Sequence, residues 1–230
     1  MNIGPDSRTE IFVFSDRLFS LSGKEGQSLF CNTFQYRPEH VDCKSCVDFV
    51  PKKGCTAQSC PWLAERIEAG VAGYKEAIME TLPRSPHMDA RLHTVIRRFT
   101  GSMFLTPIHR QRMEMVKAQQ GHRRRRDTPA YFAVMYLLTA NEELFERTSN
   151  CFCRHGIEFD YAILRDITPH NYTLFSAARD IYTDSSSVAL SDLSNAEVVD
   201  TLAFSLIVNA LLVARYGCSV LKIKDREAKV

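Results

Sequence analysis

Residues 43–60 read CKSCVDFVPKKGCTAQSC, and we expect the rest of the chain to be organised around this stretch. Two thiolates two residues apart can bind one metal ion, because a tight turn puts both sulfurs on the same side, and a tetrahedral Zn²⁺ site needs two such pairs. The intervening Pro51 and Gly54 suit a short reversing loop that brings the second pair back. The stretch therefore predicts a closed, structural zinc site with four thiolate ligands: Cys43, Cys46, Cys55 and Cys60.

Other interpretations of these cysteines stay open. Cys31 or His40 could replace one of the four ligands, and four thiolates also suit an iron–sulfur cluster. The thiols could also be merely buried, or paired as disulfides in an oxidising compartment. The first residues, MNIGPDSR, lack the charged and then apolar pattern of a signal peptide, so we expect a cytoplasmic protein whose clustered cysteines bind metal.

The pattern of apolar residues predicts a mainly α fold with minor short strands. Apolar side chains recur every three or four residues over 61–82, which predicts one helix ended by Pro83 and Pro86, and a second helix is predicted over 88–104. Segments 10–14 and 157–167 could each hold a short strand. We accordingly divide the chain into an N-terminal zinc module, 1–60, and a helical body, 61–230.

Three Thr-Pro steps predict helix starts, because Thr suits the N-cap and Pro the first helical position. They place helices at 107–120, 129–138 and 169–182, the second apolar enough to be buried. The last helix is predicted from a capping box of Ser194 and Glu197, with Leu193 and Val198 as a hydrophobic staple and Gly217 as the C-cap. Its apolar run, 202–214, is too short to cross a membrane.

Positive charge is concentrated in the middle of the chain. Residues 84–126 contain 11 Lys or Arg against 2 Asp or Glu, a net charge of +9, whereas the rest of the chain has 18 against 25, a net charge of −7. Arginine clusters bind phosphate and displace counterions from nucleic acid. A docking surface for an acidic protein and a solvated loop are the alternatives. The candidate binding residues are Arg110, Arg112, Lys117, Arg123, Arg124, Arg125 and Arg126.

No catalytic motif accompanies these features, so we expect a protein that is not an enzyme. The chain has no His-Glu-x-x-His, no Gly-x-Ser-x-Gly and no phosphate-binding or dinucleotide-binding glycine pattern. Cys151, Cys153 and His155 could form half of a second metal site, completed by Cys218 or His170, but buried or incidental thiols are the favoured interpretation. An enzyme with an unrecognised Cys/His site is the most distant alternative.

Three segments resemble a group of uncharacterised cysteine-rich proteins carried on conjugative and phage-like elements of clostridial and related gut bacteria. The segments are FQYRPEHVDCKSC (34–46), CPWLAERIEAG (60–70) and ALLVARYG (210–217). The resemblance implies a cytoplasmic accessory protein of a mobile element, which would bind DNA or block a host defence nuclease of the CRISPR or restriction type. Together with the residues, it favours a non-enzymatic, zinc-stabilised nucleic-acid binder, with a protein-directed inhibitor as the alternative.

Overall fold

The computed structural model describes residues 36–46, 60–82 and 85–223, and this part of the chain is mainly helical. It contains nine α-helices: α1 Leu63–Glu68, α2 Tyr74–Thr81, α3 Pro86–Arg98, α4 Pro107–Gln120, α5 Pro129–Leu138, α6 Glu142–Thr148, α7 Pro169–Thr183, α8 Leu190–Ser194 and α9 Thr201–Tyr216. Short 3₁₀ turns lie at Pro38–Val41, Cys43–Ser45, Ser149–Cys151, Phe159–Tyr161 and Cys218–Lys222. The mainly α prediction is confirmed for the described residues.

The core is built around α5, which packs between α7 and α9. Residues 131–138 of α5 are all buried, as are ten consecutive or nearly consecutive positions of α9. A helix that is apolar on every side has to be enclosed by other helices, and these two are. The shorter helices cover the outside, with α2 against α9 and α4 against α5.

The three Thr-Pro helix starts are confirmed. Thr106, Thr128 and Thr168 are the N-caps of α4, α5 and α7, and each hydroxyl accepts the backbone N–H three residues later. The adjoining Pro supplies no N–H where none is needed. These signals are local in sequence, and they place three of the longer helices within a residue of their observed starts.

The helix predicted over 61–82 is wrong, because two glycines divide it. Gly70 has a left-handed φ of 72°, and α1 ends just before it. Gly73 is the N-cap of α2, and its N–H donates to Glu76 Oε2 at 3.0 Å. The next helix begins at Pro86 rather than 88, since Ser85 caps it, and it ends at Arg98 rather than 104.

The N-cap predicted for the last helix is also wrong. Ser194 lies at the end of α8, Val198 is 56% exposed, and the N-cap of α9 is Asp200. The Asp200 carboxylate accepts the N–H groups of Leu202 and Ala203, which is the stronger arrangement because one side chain satisfies two free donors. Gly217 does end the helix, with φ 74°.

The strand expected at 157–167 is absent; a 3₁₀ turn, Phe159–Tyr161, occupies part of it, and only the isolated bridge between Phe152 and Ile157 is β-like in the described residues. The strand expected at 10–14 lies outside the described residues. Across the described ranges, no helix has both the length and the apolar character needed to span a membrane.

Candidate functional site

The first cysteine pair lies on a tight turn. Cys43–Ser45 is a 3₁₀ turn in which the Cys46 N–H donates to the Cys43 carbonyl at 3.3 Å, and the Asp42 side chain accepts the Lys44 N–H. The preceding turn, Pro38–Val41, packs against α1. Cys60 stands just before α1 and is partly buried against the core. The Cys43–Ser45 turn thus directly follows a turn that packs against α1, the helix that Cys60 precedes.

The fourth predicted ligand, Cys55, lies outside the described residues, as does Cys31. His40 Nδ1 accepts the Arg37 N–H at 3.0 Å. Over 36–46, 60–82 and 85–223, no three His, Cys, Asp or Glu side chains come together as a metal-sized group. The zinc site stays a prediction.

The second cysteine group consists of Cys151, Cys153 and His155. Cys151 is fully buried, and burial, with Cys153 nearby, raises the pKa of its thiol to about 11. His155 is exposed, so it lies in a different environment from Cys151. Cys218 is likewise held as a thiol, because burial raises its pKa to about 11. His170 is engaged elsewhere, with Nδ1 2.6 Å from Asp200 Oδ2.

The four consecutive arginines lie on a turn between α4 and α5, residues 121–127, which we call the arginine turn. Its last arginine, Arg126, points inward with a side chain only 3% exposed. The guanidinium contacts Asp127 Oδ1 at 2.7 Å and donates to the carbonyls of Gln120 at 3.3 Å and Gly121 at 2.7 Å. These carbonyls end α4, so Arg126 caps the helix that precedes it. Its Cζ also lies 4.8 Å from the ring centroid of Tyr131.

Asp127 organises the same turn from the other side. Its carboxylate accepts the backbone N–H of Arg123 at 2.9 Å and lies 2.8 Å from His122 Nδ1. Burial alone would raise the pKa of this carboxyl, but the Arg123 N–H, the Arg126 guanidinium and His122 together hold the pKa below its ordinary value. Asp127 is therefore a buried carboxylate whose charge is matched by Arg126.

This anchoring leaves the other three arginines at the surface. Arg123, Arg124 and Arg125 are exposed, whereas the residues on which the turn is built, Arg126 and Asp127, are buried. Because Arg126 satisfies Asp127 inside the protein, the one carboxylate of the turn does not compete for the outer arginines. The turn places three exposed arginines on a backbone held by Asp127, and arginine is a common phosphate-contacting side chain.

The three candidates on α4 differ in availability. Arg112 donates to the carbonyl of Thr139 at 2.7 Å and thereby caps α5. The Lys117 ammonium lies 5.2 Å from the Phe132 ring centroid, and Arg110 forms an exposed pair with Glu114 at 2.8 Å. Arg112 and Arg126 therefore make contacts within the fold, and their role in binding stays a prediction. Arg110 and Lys117 keep exposed side chains.

The arginine run alone does not show that Arg126 is buried while Arg123, Arg124 and Arg125 are exposed. The available signal was Asp127, an acidic residue directly after the run and just before the Thr128-Pro129 helix start. A carboxylate at that position can attract one arginine inward. Comparison with protein-family models, curated proteins and solved structures finds no match for this chain.

Proposed function

We propose that the protein binds nucleic acid through its phosphate backbone, with Arg123, Arg124 and Arg125 as the main contacts and Lys117 and Arg110 as secondary ones. The observation that carries the proposal is the internal pairing of Arg126 with Asp127, which anchors the turn and leaves three neighbouring arginines exposed. Arginine binds phosphate with two parallel hydrogen bonds, and each phosphate neutralised releases counterions.

The test is equilibrium binding of the purified full chain to a labelled 20-base-pair duplex from 50 to 200 mM salt. We expect the affinity to fall linearly on a logarithmic scale, with the slope reduced by about 0.9 for each phosphate contact that the triple variant R123A/R124A/R125A removes. A matched triple variant, R97A/R98A/R165A, removes the same charge from other exposed positions and should keep most of the slope.

Two results would contradict the proposal. The first is absence of binding to DNA or RNA at 50 mM salt, and the second is an equal loss of slope in both triple variants, which would reflect net charge alone. Tight binding to an acidic protein in moderate salt, with little affinity for the duplex, would favour the alternative of a protein-directed inhibitor of a host defence nuclease.

We further propose that one structural Zn²⁺ is held by Cys43, Cys46, Cys55 and Cys60. Two observations support the proposal: Cys43–Ser45 forms a tight turn, and the turn just before it, Pro38–Val41, packs against α1, the helix that Cys60 precedes. Four thiolates form a closed site, so the ion would stabilise the N-terminal module and perform no chemistry. In this proposal the chain is a cytoplasmic accessory protein of a mobile element.

Elemental analysis tests the zinc proposal. We expect about one zinc per chain, lost in Cys43→Ser/Cys46→Ser and retained in Cys153→Ser, a control with a half-buried thiol outside the predicted site. Loss of zinc should unfold the N-terminal module and leave the helices of the body intact in circular dichroism. A metal-free protein, or one with iron and visible absorbance, would overturn it.

A further inference from the structure

A second basic loop, far from the arginine turn in sequence, lies at the same end of the molecule. Residues 153–156, which we call the tip loop, carry Arg154 and His155, both exposed. The loop is closed by the Cys153 N–H, which donates to the Gly156 carbonyl at 2.9 Å, and by the bridge between Phe152 and Ile157. It therefore presents its two basic residues on a closed turn.

The tip loop is also fixed from below. The Tyr182 hydroxyl of α7 accepts the N–H of Ile157 at 3.2 Å and lies directly against Gly156. A side chain at Gly156 would collide with this hydroxyl, so the glycine allows the loop to sit on α7. The positions of Arg154 and His155 are thus set by the helical core.

Gln120 links the arginine turn to Phe152, the residue directly before the tip loop. Gln120, the last residue of α4, donates from Nε2 to the Phe152 carbonyl at 2.9 Å, and its own carbonyl accepts from Arg126. The buried Tyr131 hydroxyl lies within electrostatic range of Arg126 and Asp127 on one side and of Cys153 on the other. The two loops are therefore neighbours across the ends of α4 and α5.

The turn that follows α9 adds further positive charge at this end. Cys218 lies within electrostatic range of Lys117, Asp127 and Lys222. Both lysines are exposed, whereas Asp127 is buried against Arg126. The exposed acidic residue nearest in sequence to the tip loop is Glu158, two residues beyond it. The exposed Lys117 and Lys222 thus lie near the arginine turn.

We infer that the arginine turn and the tip loop form one phosphate-binding surface, in which Arg154 and His155 contact the nucleic-acid backbone alongside Arg123, Arg124 and Arg125. This inference rests on the proposed function and extends its site. Apart from His155, the contact residues of this surface are non-aromatic, so it offers little base stacking and reads phosphates rather than bases. The partner is therefore nucleic acid bound without sequence preference.

The test compares single variants of exposed arginines in the full chain. Arg154→Ala should weaken duplex binding and lower the salt slope by about 0.9, as Arg125→Ala should, because each removes about one phosphate contact. Arg98→Ala is the control: Arg98 lines a cleft with Leu105, beyond the other end of α4, a helix about 21 Å long. Two duplexes of unrelated sequence should bind equally.

The outcomes separate the two proposals. If Arg125→Ala weakens binding and Arg154→Ala matches Arg98→Ala, the tip loop is not part of the site and the arginine turn alone binds. If neither Arg125→Ala nor Arg154→Ala has an effect, the proposed function itself fails and this inference with it. A strong preference for one duplex would overturn backbone-only binding. Unchanged thermal unfolding of Arg154→Ala, an exposed position, establishes that the fold is intact.

Discussion

Adjacent arginines in this chain have opposite physical roles. Arg125 is exposed, whereas Arg126 is buried, paired with Asp127 and hydrogen-bonded to the last carbonyls of α4. Removing one member of a buried ion pair leaves the other charge without compensation, and the cost is far larger than the net value of the pair. Substitution of Arg126 should therefore lower the stability of the fold, whereas substitution of Arg125 should leave it nearly unchanged.

Arg126→Ala should lower the free energy of unfolding by up to about 3–5 kcal/mol, because the buried Asp127 carboxylate would lose its guanidinium partner and keep only His122 and the Arg123 N–H. Arg125→Ala, the matched control, should change stability by no more than about 0.5 kcal/mol. Urea unfolding followed by circular dichroism measures both. Equal stabilities would mean that Arg126 is not an internal residue.

His109 is a buried neutral histidine with a fixed tautomer. Its Nδ1 accepts the Leu105 N–H at 3.2 Å, so the hydrogen is on Nε2, which donates to the Tyr136 carbonyl at 2.8 Å. Burial lowers the pKa of His109 to about 4, the Tyr136 carbonyl opposes this, and Arg112 adds to it. Protonation would place a hydrogen on Nδ1 facing an N–H donor.

Protonation of His109 at low pH should destabilise the folded protein. The folded pKa is below the unfolded value of about 6.5, so the stabilisation is complete above pH 6.5 and is lost as the pH falls toward 4. Across this window stability should fall by about 3 kcal/mol from this group, and His109→Gln should flatten the profile. NMR titration of the ring gives a direct check, and a midpoint near 6.5 would contradict it.

At the scale of elements, helix starts marked by a local cap signal could be predicted from the sequence. Helix boundaries could not be predicted where glycines interrupt a continuous apolar pattern. Thr106, Thr128 and Thr168 each precede a Pro, and no neighbouring sequence competes for the same cap. Between α1 and α2 the apolar spacing continues across Gly70 and Gly73, so periodicity hid a break that the glycines create. α6 was not predicted, although Asn141 caps it, because its apolar stripe is short.

The α9 cap gives a prediction at this scale. Asp200→Ala should cost about 0.5–2 kcal/mol of stability, since it removes the acceptor of two helix N–H groups and the partner of His170. Ser194→Ala, the cap expected from sequence, should cost less than about 0.5 kcal/mol. Paired thermal melts distinguish the two, and the reverse order would restore the sequence-based start of α9.

At the scale of the whole molecule, one polar network joins helices that are far apart in sequence. The Tyr74 hydroxyl of α2 donates to Asn209 Oδ1 in α9 at 2.5 Å, and Asn209 Nδ2 donates to the Tyr136 hydroxyl of α5 and the Met103 carbonyl, both at 3.1 Å. The Tyr136 hydroxyl in turn donates to Met103. The two hydroxyls, the amide and the carbonyl of this buried group all have hydrogen-bond partners, which favours a single arrangement of the three helices.

Asn209→Ala should therefore lower the free energy of unfolding by more than the loss of a few side-chain atoms alone would. It leaves the Tyr74 hydroxyl and the Met103 carbonyl with fewer partners, at about 1–3 kcal/mol for each group left unsatisfied. Ser205→Ala, one turn earlier on α9 and half-buried, is the control and should be nearly neutral. Equal effects in denaturant unfolding would mean that the network adds no stability.

Some features of the candidate site can be predicted from the local sequence, and others depend on how the helices pack. Charge counting located the basic segment, because charge is a property of sequence. The burial of Arg126 depends on where α4 and α5 place Asp127, and the neighbourhood of Arg154 depends on α7. Neither follows from spacing along the chain, so both required the packed helices.

The inward position of Arg126 also determines where a trypsin-like protease can cut. Such an enzyme must take an arginine side chain into its specificity pocket, so the bonds after Arg123, Arg124 and Arg125 are open to it, and the bond after buried Arg126 is closed. A cut here separates α4 from α5, yet α2 on one fragment still packs against α9 on the other. The nicked protein therefore stays assembled, with a new terminal carboxylate set among its arginines.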